Sequence, residues 1–140
     1  MQKVQPYLFF AGDCAQAVEF YRSKLGAKVN MLMRYSDSPE PPNPDMCPPG
    51  KENGVMHAAF EIGDSLIMAS DDPTKTQSSF TGFMLSLSVA NEAEADHVFG
   101  ILAEGGQIKM PLMKTFYSPR FGMLADKFGV GWMVIVPAPM

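Results

Sequence analysis

Apolar and polar positions change their period along the chain in an order that occurs twice. Short apolar stretches of strand length lie at 4–10 and 83–89. Each is followed by a segment in which apolar residues recur every three or four positions, which is typical of a helix with one buried face. Strand-like stretches resume at 27–35 and 107–110. Each half of the chain is therefore predicted to begin with a strand, a helix and a second strand.

An internal repeat relates the two halves. Shifting the chain by 79 positions aligns residues 8–31 with residues 87–110 without a gap. Gly26 then matches Gly105, and both follow the last turn of a predicted helix, where a left-handed residue is common. The other identical pairs are Leu8 and Leu87, Ala11 and Ala90, Phe20 and Phe99, and Met31 and Met110.

Both helix starts have the spacing of a capping box, in which a short polar side chain is followed three residues later by Glu or Gln. Asp13 precedes Gln16 in this way, and Asn91 precedes Glu94. Two helices should begin there. Their predicted apolar stripes are Cys14, Ala17, Val18, Tyr21 and Leu25 in the first helix, and Ala95, Val98, Phe99 and Leu102 in the second.

A hairpin closes each half. "VMHAAFEI" and "SLIMAS" flank Gly63-Asp64, and "RFGMLADK" and "GWMVIV" flank a turn at Gly129. The unit is therefore βαβββ. One helix covers only one face of its sheet, so two units must pack together, side by side or between chains.

These elements predict an α+β fold in a single domain, residues 1–140. Two βαβββ repeats, 4–70 and 82–137, should form a cup-shaped mixed sheet with the helices on its outer face. The linker 71–81 joins them. The stretch 36–54 holds half of the twelve prolines and is not regular structure. It is either a solvated excursion or a flap over the open side of the sheet.

Composition excludes some classes of function. The balance of 11 Lys and Arg against 15 Asp and Glu contains no basic cluster, which argues against a nucleic-acid partner. No apolar run is long enough to span a membrane and the start lacks a signal peptide, so we expect a cytoplasmic protein. Cys14 and Cys47 lie in unlike surroundings without metal-ligand spacing, which disfavours a disulfide or a zinc site.

The stretches "GDCAQAVEFYRSKLGA" and "DKFGVGW", together with the doubled βαβββ unit, resemble the vicinal oxygen chelate superfamily. That superfamily includes glyoxalase I, extradiol dioxygenases, and fosfomycin and bleomycin resistance proteins. Within it, "PYLFFAGDCAQAVEFY", "VMHAAFEIGDSLIMASD" and "FGMLADKFGVGW" resemble the PhnB-like branch. The resemblance covers nearly the whole chain and implies a homodimer.

The resemblance also implies where a metal site would lie. In metal-using members, four inward-pointing His, Glu or Gln residues hold a divalent ion that chelates neighbouring substrate oxygens. The corresponding positions here fall near Gln5 or Pro6, at Met68, near Met84 and at Met133. Thioethers are poor ligands for Mg, Mn, Ni or Zn. We therefore predict no metal and no cofactor, and an apolar site instead, since methionine fills irregular apolar pockets well.

His57 is the most interesting polar residue that remains. Strand alternation places His57 on the face opposite Phe60, which looks into the cup if a helix covers Phe60. His57 is then a candidate general base or a hydrogen-bonding group for a ligand. Alternatively, it is bonded to a neighbour across the sheet or at a dimer contact. His97 lies off the apolar stripe of its helix and receives no role.

Tyr117 and Arg120 precede the seventh strand and are candidate ligand-binding residues at the rim of the cup. Equally, Arg120 pairs with a surface carboxylate. Trp132 alternates with Met133 and should pack in the core.

Three functions remain open. The first is a metal-free small-molecule-binding protein with a cup lined by Met68, Met84 and Met133. The second is a lyase, isomerase or dioxygenase-type enzyme with an atypical metal site or with His57 as general base. The third is an interaction module whose cup is a filled core. The sequence contains no glycine-rich phosphate loop that opens a helix, no such methyltransferase signature and no catalytic triad spacing.

Overall fold

The elements occur in the predicted order and repeat once. The computed structural model of the protein describes residues 2–40 and 47–138. In chain order the elements are β1 (Tyr7–Phe10), α1 (Cys14–Leu25), β2 (Lys28–Arg34), a 3₁₀ turn (Tyr35–Asp37), β3 (Val55–Ile62), β4 (Ser65–Asp71), β5 (Leu85–Ser88), α2 (Glu92–Ala103), β6 (Gln107–Met113), β7 (Phe121–Ala125) and β8 (Gly131–Ile135).

Two units of the same topology make up the chain, Met1–Ser78 and Ser79–Met140. The strand order is β1-β4-β3-β2 in the first sheet and β5-β8-β7-β6 in the second. In each sheet the first strand runs parallel to the last, and the other neighbours are antiparallel. The predicted α+β fold of two βαβββ units is confirmed. Their membership of one domain stays a prediction.

The repeat extends to details of the backbone. Gly26 and Gly105 both have φ of 74°, the left-handed conformation predicted for them. The register of β2 shifts between Val29 and Met31, and that of β6 shifts between Ile108 and Met110. Each pair lies at the same place in its repeat. The matching residues therefore correspond to matching turns and bulges.

One face of the first sheet packs on α1. Ala58 pairs with Ala69, Ala69 pairs with Leu8, and all three are buried. Tyr21 of α1 stacks on Phe60 with 5.6 Å between the ring centroids. Because neighbouring residues of a strand point to opposite faces, the residues between these positions lie on the face without the helix.

The second sheet is divided in the same way. Leu124, Trp132 and Val134 are buried on the face that packs on α2. Gly122 lies on that face, and a β-carbon built there would be 2.7 Å from Cε2 of Phe99 in α2. The absence of a side chain at Gly122 therefore lets the helix lie close to β7.

The side-chain cap predicted for the second helix forms, although Glu94 bonds the residue before the N-cap Asn91, and no side-chain cap forms at the first helix. The Asn91 side chain accepts from the Glu94 backbone N–H at 2.8 Å, and Glu94 accepts from the Ala90 N–H at 3.0 Å. Asp13 makes no side-chain cap bond and instead accepts from the Ser78 hydroxyl.

Asp71, at the end of β4, replaces the missing cap of the first helix. Its Oδ1 accepts from the backbone N–H groups of Gly12 and Cys14 at 2.8 and 3.0 Å, and its Oδ2 accepts from that of Val55 at 2.8 Å. Asp71 is only 3% exposed. This one carboxylate therefore ties the start of α1 to the start of β3. Sequence spacing did not reveal it because the partners are far apart in the chain.

The proline-rich stretch is tied down at both ends. The backbone N–H of Tyr35 donates to the Gly54 carbonyl, and that of Ser36 donates to the Glu52 carbonyl. The Tyr35 hydroxyl donates to the Asp71 carbonyl at 3.0 Å. Residues 41–46 lie outside the described residues, so the flap stays a prediction.

Cys14 and Cys47 are both buried and both free. Burial, together with the nearby charge of Asp71, raises the pKa of the Cys14 thiol far above its usual range. Such a thiol is a poor nucleophile. Neither of the two helices in the described residues is long and apolar enough to cross a membrane.

Replacing Asp71 by Asn should destabilise the first unit by about 3 kcal/mol, because charged hydrogen bonds to three backbone donors are lost or weakened. Urea unfolding measures this change. Asp72→Asn is the matched control, since the Asp72 side chain accepts from the backbone N–H and the hydroxyl of Thr74 through Oδ1, which an amide oxygen can replace. Its cost should stay below about 1 kcal/mol. Equal effects of the two substitutions would contradict the bridging role of Asp71.

Gly122→Ala should destabilise the protein by about 1–3 kcal/mol, because the added methyl group overlaps Phe99. Gly100 provides the opposite case within α2. A β-carbon there meets no atom within 4 Å, so Gly100→Ala should stabilise the protein by about 0.5–1 kcal/mol through helix propensity. Thermal unfolding of both variants checks the opposite signs. A neutral Gly122→Ala would contradict the close approach of α2 to β7.

Candidate functional site

The face of each sheet without its helix carries the residues singled out from the sequence. On the first sheet Tyr7 pairs with Met68, Met68 with Ala59, and Ala59 with Met31. In β4, Ser70 lies two positions beyond Met68 and pairs with Phe9 of β1. We call this surface the first open face; its members are Tyr7, Phe9, Met31, Met33, His57, Ala59, Met68 and Ser70.

His57 lies on the first open face, as the alternation predicts. Its Nδ1 is 3.1 Å from the hydroxyl oxygen of Tyr7, a hydrogen bond that crosses from β3 over β4 to β1. The ring centroids of the two residues are 5.7 Å apart. A partner across the sheet was one of the two alternatives for this histidine. The role of general base stays a prediction.

The first open face is aromatic at one end and carries thioethers at the other. Phe9 is 49% exposed, and its ring centroid lies 4.8 Å from that of Tyr7. Met31 is also exposed, and Met33 and Met68 are half-buried. The surface therefore combines flat rings with adaptable thioethers around one imidazole.

A row of methionines crosses the second sheet on its free side. Ser86 pairs with Met133, Met133 with Met123, and Met123 with Met110. We call this surface the second open face; its members are Met84, Ser86, Met110, Met113, Phe121, Met123, Met133 and Ile135. Met84 packs against the bare backbone of Gly131, whose hypothetical β-carbon would lie 3.0 Å from Cγ of Met84.

The structure thus brings Met84 and Met133 to one face, and it places Met68 on the first open face. Sequence reasoning missed Met110 and Met123. The signal was available, because Met110 matches Met31 in the repeat and Met123 alternates with the buried Leu124. The role of Met68, Met84 and Met133 in ligand binding stays a prediction.

Arg120 lies on the helix side of the second sheet. Its Nε and Nη2 donate to Oδ1 and Oδ2 of Asp96 at 3.0 and 3.1 Å, so the pair is bidentate. Asp96 belongs to α2, which covers the face opposite the methionine row. Of the two alternatives for Arg120, the structure has the carboxylate pair.

Tyr117 lies at the end of the second open face. Its ring packs edge-on against those of Phe116 and Phe121, with centroid distances of 5.0 and 5.4 Å. Tyr117 is 44% exposed and Phe116 fully so. Tyr117 therefore remains placed where a ligand on this face would contact it, and its binding role stays a prediction.

Trp132 packs in the core, as predicted. It is 2% exposed, and its indole N–H donates to Oδ2 of Asp126 at 2.9 Å. Oδ1 of the buried Asp126 accepts from the backbone N–H groups of Phe128 and Val130. His97 is exposed on α2.

The side chains at the positions that the superfamily resemblance assigns to metal ligands do not fit a hard divalent ion. Gln5 offers an amide oxygen, and Met68, Met84 and Met133 offer thioethers. Such a set lacks the anionic oxygens and imidazoles that hold Mg, Mn or Zn. Among the described residues there is also no cluster of three or more His, Cys, Asp or Glu placed to hold a metal.

Comparison with known proteins identifies close relatives over almost the full chain. The model of the family described as 3-demethylubiquinone-9 3-methyltransferase matches residues 2–135. Protein YjdN of Escherichia coli is 35% identical over 95% of this chain and 94% of its own. The structure of protein PA1353 from Pseudomonas aeruginosa is 38% identical, with a TM-score of 0.86 over 98% of each chain.

A PhnB protein from Bacillus cereus, described as a putative 3-demethylubiquinone-9 3-methyltransferase, is 34% identical with a TM-score of 0.79 over 96% of this chain and 99% of its own. A glyoxylase/bleomycin resistance protein/dioxygenase domain from Frankia is 15% identical, with a TM-score of 0.70 over 99% of each chain. The latter likeness shows the fold alone. The family match and the relatives above 30% identity confirm the predicted resemblance to the PhnB-like branch.

The bidentate pair of Arg120 and Asp96 should show a small coupling energy in a double-mutant cycle with Arg120→Ala and Asp96→Ala. Because the two side chains are 36% and 51% exposed, we expect about 0.2–1 kcal/mol. Urea unfolding of the single and double variants in low and high salt measures it. A coupling energy that does not fall in high salt would contradict an exposed ion pair.

Proposed function

The chain belongs to the PhnB-like family described as 3-demethylubiquinone-9 3-methyltransferase, and on that premise we propose that it binds a small organic molecule without a divalent metal ion. The observation that carries the proposal is the set of thioethers where superfamily members use hard ligands. Met84 and Met133 lie together on the second open face, and Met68 lies on the first. Burial of apolar surface then supplies the affinity.

Methionine suits this role because its side chain is unbranched and polarisable. It adapts to irregular apolar surfaces and makes favourable contacts with aromatic rings. The row of Met110, Met123 and Met133 continues this surface across three strands. Tyr117 adds a flat ring at its end. We leave Arg120 outside the proposed site because its guanidinium is paired on the helix side of the sheet.

The second candidate is an enzyme, and the position of His57 on the first open face favours it. An imidazole can serve as a general acid or base, and that of His57 is half-buried beside a phenol. Lyase, isomerase or dioxygenase-type reactions are the classes that the superfamily resemblance implies. Loss of turnover in His57→Ala, with folding intact, would support this candidate.

The methyltransferase name of the family finds no support from residues of this chain. Its Gly129-Val130-Gly131 run belongs to the turn and strand start between β7 and β8. A nucleotide-binding Gly-x-Gly motif instead joins a strand to a helix, where the backbone approaches phosphates. We therefore do not propose methyl transfer.

The superfamily resemblance further leads us to propose a homodimer in the cytoplasm, with a small-molecule ligand and neither nucleic acid nor membrane as partner. The acidic net charge of −4 supports the proposal that neither nucleic acid nor a membrane is a partner.

Native mass spectrometry of the protein purified without chelators tests the proposal. We expect dimers that carry no divalent ion, also after incubation with Mn²⁺, Ni²⁺ or Zn²⁺ and desalting, because thioethers do not hold these ions. An organic adduct should be present on a fraction of the molecules. A denaturing spectrum is the control, since it gives the mass of the polypeptide alone.

Stoichiometric retention of one divalent ion per chain would overturn the metal-free proposal and favour the enzyme. A metal-free spectrum with an adduct that disappears on denaturation would support binding. The mass of that adduct then identifies the ligand.

A further inference from the structure

We propose that Tyr7 and His57 form the polar end of a ligand site on the first open face, and that the ligand is a planar aromatic molecule carrying a carbonyl or carboxylate oxygen. This inference rests on the proposed function and deepens it by naming the ligand class. Tyr7 is a positioning residue in this site, because it acts on the ligand's oxygen through His57.

The hydrogen bond between Tyr7 and His57 fixes the orientation of the imidazole. Their strands are not neighbours, since β4 lies between β1 and β3. The two side chains nevertheless approach to 3.1 Å between the Tyr7 hydroxyl and Nδ1 of His57. Ala59 and Ser70 are small residues on the same face. Ser70 is only 4% exposed, as expected for a small residue beneath larger ones.

We take the Tyr7 hydroxyl as the donor in this bond, whose direction depends on the tautomer of His57. When the phenol donates to Nδ1, that nitrogen is the acceptor and the ring proton lies on Nε2. Among residues 2–40 and 47–138, no protein atom forms a hydrogen bond with Nε2. His57 therefore presents an N–H donor to a ligand, and a donor requires an acceptor oxygen on that ligand.

The surroundings of His57 select a flat and apolar body for the ligand. Phe9 is 49% exposed beside Tyr7, and the planes of the two rings are tilted by 35°. Met31 is 38% exposed on the strand next to that of His57. Aromatic rings and thioethers both favour contact with another aromatic ring. One polar donor on such a surface gives a ligand its orientation.

The hydrogen bond between Tyr7 and His57 can be tested without a ligand, by measuring the tautomer of His57. Long-range ¹H–¹⁵N correlation at a pH of about 8, where an ordinary histidine is neutral, should show the proton of His57 on Nε2. Tyr7→Phe keeps the ring and removes the hydroxyl, so His57 should then become a mixture of tautomers. The exposed His97 serves as the internal reference in both spectra. A His57 tautomer that Tyr7→Phe leaves unchanged would overturn the role of Tyr7.

Binding of two matched probes tests the ligand class. The probes are 1-naphthoate, which carries an acceptor oxygen, and 1-methylnaphthalene, which does not. His57→Leu should weaken 1-naphthoate about tenfold, the loss expected for one hydrogen bond to a charged group. It should change the affinity for 1-methylnaphthalene by less than about twofold. Tyr7→Phe should weaken 1-naphthoate less than His57→Leu does, and His97→Leu should change neither affinity.

The outcomes separate this inference from the proposed function. Equal weakening of both probes by His57→Leu, or no weakening, would overturn the donor role of His57. Failure of the wild-type protein to bind either probe would overturn the ligand class. Neither result bears on metal-free binding as such, which native mass spectrometry decides independently through the adduct and the metal content.

Discussion

Each sheet of this protein is served by one helix, and one helix can cover only one face. In every strand, alternate residues face the helix and form the core of the unit. The residues between them face away from the helix and are available to contact a ligand or a partner. On the helix side these residues are buried, as with Phe60 under Tyr21 and Trp132 beside α2. On the open side stand thioethers, aromatic rings and one imidazole. The candidate site therefore lies on the faces of the sheets that the helices do not cover.

Two buried carboxylates hold the helix side of the units in place. Asp71 joins the start of α1 to the start of β3, and Asp126 holds the turn before β8 and the indole of Trp132. A carboxylate removed from water is costly unless several donors meet it, and backbone N–H groups supply them here. Such a group fixes the ends of strands to which residues of the open faces belong. Met68 and His57 lie in the two strands that Asp71 joins, on the opposite face of the sheet.

Patterns of nearby residues predicted the features that depend on interactions between residues close together in the chain. The period of apolar residues predicted the strands and helices, and the repeat predicted that Gly26 and Gly105 adopt the same conformation. The cap of α1 was predicted wrongly, because Asp71 reaches the helix from 57 residues away and takes the place of Asp13. The bond of Tyr7 to His57 could not be predicted either, since it needs the strand order of the sheet. The position of Met110 and Met123 on the open face, by contrast, could have been predicted from strand alternation and the repeat alone.

Methionine at the positions of the superfamily's metal ligands changes what a site can do. An ion held by oxygens and imidazoles polarises a substrate in a fixed geometry, whereas a thioether surface holds a ligand through contact area and tolerates differences in its shape. Orientation must then come from a small number of polar groups. In the ligand site proposed for the first open face, the imidazole of His57, bonded to the hydroxyl of Tyr7, is such a group. Under the proposed metal-free function, one hydrogen bond from His57 would therefore orient a ligand on an adaptable surface.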